Sequence, residues 1–133
     1  VAMWFENSMN IAREKIMAAI QECGYNPMII DMKEHNNQIV PEILYEIKRS
    51  KFVVSDMTGQ RGGVYYEAGY AAGLNKEVIM TCKQSDFESL HFDIKQKSGI
   101  IWSDEDDLYK RLIKRIEATV GKKTKQVSVI RYR

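Results

Sequence analysis

The chain has 133 residues, of which 44% are apolar and 29% charged, a composition that excludes a disordered or fibrous protein and suits one domain with its own core. Its apolar runs are far shorter than the ~20 residues of a membrane span, so we predict no membrane partner. The formal charge of +2 originates in residues 122–133, whose five basic residues and no acid leave fifteen bases against 18 acids elsewhere. A solvated basic tail accounts for this excess, and no nucleic-acid partner is predicted.

Predicted strands and helices alternate along the chain from its first residue. In chain order they are a strand at 1–5, a helix from Ser8 to Gly24, a strand at 27–31, a helix at 39–48, a strand at 51–56, a helix at 64–74, strands at 77–82 and 99–102, and a helix from Ser103 to Gly121. This order predicts a three-layer, doubly wound, flavodoxin-like α/β fold with a five-stranded parallel sheet flanked by helices. We expect one domain over residues 1–121 and a basic tail at 122–133.

Two carboxylates flank the loop between the third predicted strand and the helix that follows it. Asp56 ends the strand, and Glu67 lies near the start of the helix. The carboxyl ends of parallel strands and the amino ends of the following helices line one crevice, so both side chains should face one ligand. The helix dipole favours an ionised Glu67, suited to attack an anomeric carbon, and Asp56 is placed to bond a sugar hydroxyl or exchange a proton. Alternatively, Asp56 caps the loop and Glu67 pairs with a neighbouring base.

A glycine-rich turn connects the two carboxylates. Gly59, Gly62 and Gly63 let the backbone approach a ligand, and free N–H groups ahead of a helix suit a phosphate or a sugar oxygen. The guanidinium of Arg61 suits a 5′-phosphate. The turn is neither a Walker loop nor a dinucleotide fingerprint. A tight turn without a ligand is the alternative, and a surface position explains Arg61 equally well.

The motif Gly-Val-Tyr-Tyr-Glu-Ala-Gly-Tyr-Ala after a strand-end aspartate resembles the nucleoside 2-deoxyribosyltransferase family and its nucleotide N-glycoside hydrolase relatives. The resemblance covers residues 1–120 in predicted topology, but its specific part is residues 56–73. It implies that Glu67 is the nucleophile that takes the deoxyribosyl group and that Asp56 binds the sugar or handles a proton. It also implies a nucleoside or nucleotide substrate, no cofactor and a homo-oligomer that shares its sites.

The sequence departs from the family pattern at two places. Family members carry a tyrosine after the first strand to orient the nucleophile, whereas this chain has Trp4 and Phe5 there. Trp4 is taken as a substrate-binding residue, and the orienting hydroxyl comes from elsewhere, for example Tyr66 or Tyr70, or is absent. A second aspartate that protonates the base in the family has no match near residues 47–51.

Two loops on the same predicted edge add candidate ligand contacts. His35 follows the second predicted strand and is suited to bind a phosphate or to protonate the departing base. Phe92 follows the fourth predicted strand and is suited to stack on a base. An exposed loop histidine and a packed loop phenylalanine are the alternatives.

The chain shows no spacing typical of a metal site. Its two histidines and two cysteines, Cys23 and Cys82, fall into no ligand motif, so we predict no metal. Isolated cysteines and the lack of a leader before the first strand favour a cytoplasmic protein.

The leading hypothesis is cleavage or transfer at the N-glycosidic bond of a (deoxy)nucleoside or nucleotide by Glu67. One alternative is an NAD glycohydrolase resembling Toll/interleukin-receptor domains, which also use a helix glutamate. Another is a nucleotide-sensing module that binds without cleaving.

Overall fold

A parallel sheet of three strands forms the centre of the described structure. The computed structural model describes residues 1–29, 41–89 and 98–123. The strands are β1 (Phe52–Asp56), β2 (Glu77–Lys83) and β3 (Ile100–Trp102), in the order β1-β2-β3. On the free side of β1, Ala2 makes one parallel bridge to Ser55.

Helices cover both faces of this sheet. Those within the described residues are α1 (Asn10–Glu22), α2 (Pro41–Arg49), α3 (Gly62–Gly73) and α4 (Glu105–Thr119). α1 and α4 pack against each other and against one face of the sheet, and α2 and α3 cover the other face. The class is therefore α/β, as the sequence predicts.

The core is divided between the two faces because strand side chains alternate in direction. Val54 and Ile79 pack with the apolar residues of α1 and α4, whereas Val53 packs with Ile43 of α2 and Met80 packs with Ala68 of α3. Strands buried on both faces require near-continuous apolar sequence, which is why these segments show no polar alternation.

Three of the five predicted strands are confirmed, those at residues 51–56, 77–82 and 99–102. The predicted strand at 1–5 is reduced to the bridge at Ala2, because pairing with Ser55 leaves only Asp56 of β1 beyond the bridge. Of the predicted strand at 27–31, residues 27–29 form no ladder and the other two lie outside the described residues. A five-stranded sheet is thus not shown.

Two predicted helix caps are wrong. Ser8 lies inside a 3-10 turn, Asn7–Met9, and α1 begins after it without a side-chain cap. The last helix is capped by Asp104, whose carboxylate accepts a hydrogen bond from the Asp107 N–H at 2.8 Å. Ser103 instead donates its N–H to the Asp107 carboxylate at 3.0 Å.

The start of the predicted basic tail packs against the end of α1. The Lys123 N–H donates to the Cys23 carbonyl at 2.8 Å, and the same backbone leaves no room for a Cβ on Gly24. Residues 124–133 lie outside the described part of the chain.

Candidate functional site

A cavity of about 360 Å³ lies where the turn after β1 enters α3. Its walls come from two segments, residues 3–5 and 60–64. Four predicted substrate-binding residues share this cavity, namely Trp4, Arg61, Gly62 and Gly63. Because α3 begins beside the carboxyl end of β1, the cavity lies at the edge where parallel α/β sheets bind ligands.

The aromatic wall of the cavity is the ring of Trp4, which packs closely against Gly59. Gly59 has a φ of +84°, which glycine adopts without strain, and a Cβ at this position would collide with the six-membered ring of Trp4. The Arg61 guanidinium carbon lies over the Trp4 ring, 5.5 Å from its centroid. Gly59 therefore supports the aromatic wall, and Arg61 covers it.

Three hydrogen bonds hold the turn beneath this wall. The Gly59 N–H donates to the Asp86 carboxylate at 3.0 Å, and the Thr58 N–H donates to the Asp56 carboxylate at 3.0 Å. The Lys83 N–H donates to the Thr58 hydroxyl at 2.9 Å. Sequence reasoning missed Asp86, although an acid directly after β2 at the ligand edge of the sheet was the available signal.

Asp56 has no exposed surface and does not line the cavity. Besides Thr58, its carboxylate accepts hydrogen bonds from the Thr81 hydroxyl and from the Trp102 indole N–H, the latter at 3.0 Å. Burial raises the pKa of Asp56, and these hydrogen bonds oppose that rise. Both carboxylate oxygens of Asp56 therefore accept hydrogen bonds from other groups of the protein.

Glu67 is also buried, with 5% of its surface exposed, but it lines a second and smaller cavity of about 30 Å³. Val1, Ala2, Met28 and Glu46 are among the residues that share this cavity. Burial raises the Glu67 pKa from about 4.5 to about 7, and the amino group of Val1 partly opposes the rise. Glu67 is the sixth residue of α3 and lies beyond its first turn, so the helix dipole that was expected to keep it ionised acts on it only weakly.

The two cavities flank the same two segments of chain. Gly63 lines the larger cavity and Glu67 the smaller, so they are about 6 Å apart along the helix at 1.5 Å per residue. Ala2 lines the smaller cavity, and the next residue, Met3, lines the larger. Asp56 and Glu67 therefore do not share the single crevice that was expected. Asp56 is buried and lines neither cavity, and Glu67 lines only the smaller one.

The described structure does not place the remaining candidate residues at the site. Tyr66 is 55% exposed and lines neither of these two cavities. His35 and Phe92 lie outside the described residues. Over residues 1–29, 41–89 and 98–123, no cluster of three His, Cys, Asp or Glu side chains could hold a metal ion.

Comparisons of the chain with models of protein families, with curated proteins and with solved structures find no match. The resemblance to nucleoside 2-deoxyribosyltransferases therefore rests on residues 56–73 themselves. Among the described helices, none has the length and apolar character to cross a membrane.

Proposed function

We propose that this domain breaks or transfers the N-glycosidic bond of a (deoxy)nucleoside or nucleotide, with Glu67 as the nucleophile. We further propose that it belongs with the nucleoside 2-deoxyribosyltransferases and nucleotide N-glycoside hydrolases. The five-stranded flavodoxin-like sheet and the homo-oligomer that the resemblance implies are parts of the same proposal.

The state of Glu67 is the observation that carries this proposal. Its carboxyl is buried beside a cavity, and no hydrogen bond from the described residues offsets the burial that raises its pKa. A carboxyl buried without donors is costly, so its presence favours a role with a ligand. Asp56 provides the contrast, because its three hydrogen bonds account for it as part of the protein interior.

In the proposed reaction, a Glu67 carboxylate oxygen bonds to C1′ while the C1′–N bond breaks. The electron pair leaves with the base, which takes up a proton. Water or a second base then attacks C1′ and frees Glu67, which completes hydrolysis or transfer. Because about 30 Å³ holds little more than one water molecule, the proposal requires the cavity beside Glu67 to enlarge when the sugar binds.

Replacement of the nucleophile tests the proposal. Wild type, Glu67→Gln and the surface control Glu117→Gln would be incubated with nucleosides, nucleotides and NAD, and the products separated by chromatography. We expect wild type and Glu117→Gln to release free base and Glu67→Gln to be at least ~10³-fold slower. Wild-type kcat/KM should rise with pH through about 7, as the Glu67 carboxylate forms. Equal turnover by Glu67→Gln would exclude Glu67 as nucleophile.

A non-catalytic nucleotide-sensing module is the second candidate, favoured by the separation of Glu67 from the larger cavity. For that function, nucleotides should raise the Tm of the wild type without release of base. Release of nicotinamide from NAD alone would instead indicate the glycohydrolase alternative.

A further inference from the structure

Arg61 occupies a surface that a bound base would need. Its guanidinium lies over the ring of Trp4, and both side chains line the cavity of about 360 Å³. A base that stacks on this face of the indole must displace the guanidinium. Arg61 is exposed, so its side chain has room to move away.

A second arginine and ring on the same wall behave differently. The Arg13 guanidinium lies 5.1 Å from the ring centroid of Phe5, another residue of the cavity. Arg13 is partly buried and donates a hydrogen bond to the Asn10 side chain, which holds it in place. Of the two arginines, Arg61 is therefore the one that a ligand can displace.

We propose, on the basis of the proposed function, that Arg61 selects nucleotides over nucleosides by changing partners. In the free protein it covers Trp4. When a nucleotide binds, the base takes its place on the indole and the guanidinium bonds to the phosphate.

The free-energy terms of this exchange differ for the two ligand classes. Both ligands break the contact between Arg61 and Trp4, an exposed cation–π contact that corresponds to about 2- to 5-fold in affinity. A phosphate returns charge-assisted, bidentate hydrogen bonds, which correspond to about 10- to 100-fold. A nucleoside has no phosphate to replace the broken contact, so Arg61 lowers the affinity for nucleosides.

The test is a comparison of binding without turnover. Dissociation constants of the four common 2′-deoxynucleosides and their 5′-monophosphates would be measured by calorimetry in the Glu67→Gln background. The proteins are the parent, Arg61→Ala, Arg61→Lys and Lys110→Ala, an exposed charge on α4. The chain has two tryptophans, Trp4 and the fully buried Trp102, so a ligand-dependent change in tryptophan fluorescence that is lost in Trp4→Phe reports stacking directly.

We expect Arg61→Ala to weaken the best monophosphate about 2- to 50-fold and to tighten the matching nucleoside about 2- to 5-fold, so that the preference for the monophosphate falls about 10- to 100-fold. The dissociation constants of Arg61→Lys should lie between those of the parent and Arg61→Ala, and those of Lys110→Ala should match the parent. Equal weakening of both ligands, or no change in either, would overturn the exchange. If base release fails but this binding pattern holds, the proposed reaction is wrong and the exchange stands. If no ligand binds, both are wrong.

Discussion

Asp56 and Glu67 are two buried carboxyl groups with opposite surroundings. Burial raises the pKa of both, but Asp56 accepts three hydrogen bonds, whereas Glu67 faces a cavity and has no described donor. A buried carboxyl whose oxygens accept hydrogen bonds from the protein contributes to structure, whereas a buried carboxyl without such bonds is available to a ligand. Residue type and spacing predicted that both would face one ligand, and their surroundings separate them.

Glu67 should make the stability of the protein depend on pH. Its pKa is about 4.5 when unfolded and about 7 when folded, so the folded state binds the proton more tightly. The stabilisation is complete below the unfolded pKa and is lost as pH rises through 7. Relative to Glu67→Gln, wild type should therefore lose roughly 2–3 kcal/mol of unfolding free energy between about pH 5 and 8.

Urea unfolding of both proteins at four pH values measures this difference, with Glu117→Gln as the control for an exposed glutamate. A difference between wild type and Glu67→Gln that stays constant with pH would contradict the raised pKa. If the difference varies with pH as expected, the ionisation that activates the proposed nucleophile also lowers the free energy of unfolding.

The turn between β1 and α3 takes its shape from a neighbouring element. Gly59 is held by Asp86, which lies in the 3-10 turn Gln84–Ser89 after β2. Trp4 in turn packs on Gly59 and forms part of the cavity wall. The position of the aromatic wall therefore depends on a contact between residues 27 positions apart.

Asp86→Ala should release the turn, and Asp86→Asn should preserve it. Alanine leaves the Gly59 N–H without its acceptor, whereas the asparagine carbonyl oxygen can still accept. We expect a loss of about 1–2 kcal/mol in unfolding free energy for Asp86→Ala and a change in tryptophan fluorescence that is absent when Asp86→Ala is combined with Trp4→Phe. Gln84→Ala, at an exposed position of the same 3-10 turn, is the control. Similar behaviour of the alanine and asparagine variants would show that the hydrogen bond does not position the turn.

At the scale of the whole molecule, Asp56 joins all three strands. It ends β1 and accepts hydrogen bonds from Thr81 of β2 and Trp102 of β3. This buried network ties the sheet together at the end of β1, from which the turn leads to the larger cavity. It links the stability of the sheet to the shape of the proposed site.

Asp56→Asn should destabilise the whole domain, because an amide nitrogen replaces one carboxylate oxygen. That nitrogen then faces either the Thr58 N–H or both the Thr81 hydroxyl and the Trp102 indole N–H. We expect a cost of about 2 kcal/mol, measured by guanidinium unfolding with far-ultraviolet circular dichroism. Trp102→Phe removes the opposing donor, so the double variant should be more stable than the sum of the two changes by about 1 kcal/mol. Strictly additive effects would argue against a direct interaction.

Local signals in the sequence determined the α/β class and the elements that became β1, β2 and β3. Those signals are apolar runs, glycine turns and helical spacing, which act within a few residues of chain. They failed at residues 1–5, because the length of that strand depends on its register against β1. They also placed two helix caps one residue away, at Ser8 instead of Met9 and at Ser103 instead of Asp104, since the exact start of a helix depends on backbone geometry.

The sequence by itself also identified the glycine turn, Trp4 and Arg61 as neighbours at one edge of the sheet. Only the tertiary structure decided that Asp56 is sealed inside the protein, that Glu67 faces a separate cavity, and that Arg61 covers Trp4. The physical reason is that burial and hydrogen bonding arise between segments far apart in the chain. Those surroundings, rather than residue type, set the pKa and the accessibility of each carboxyl group.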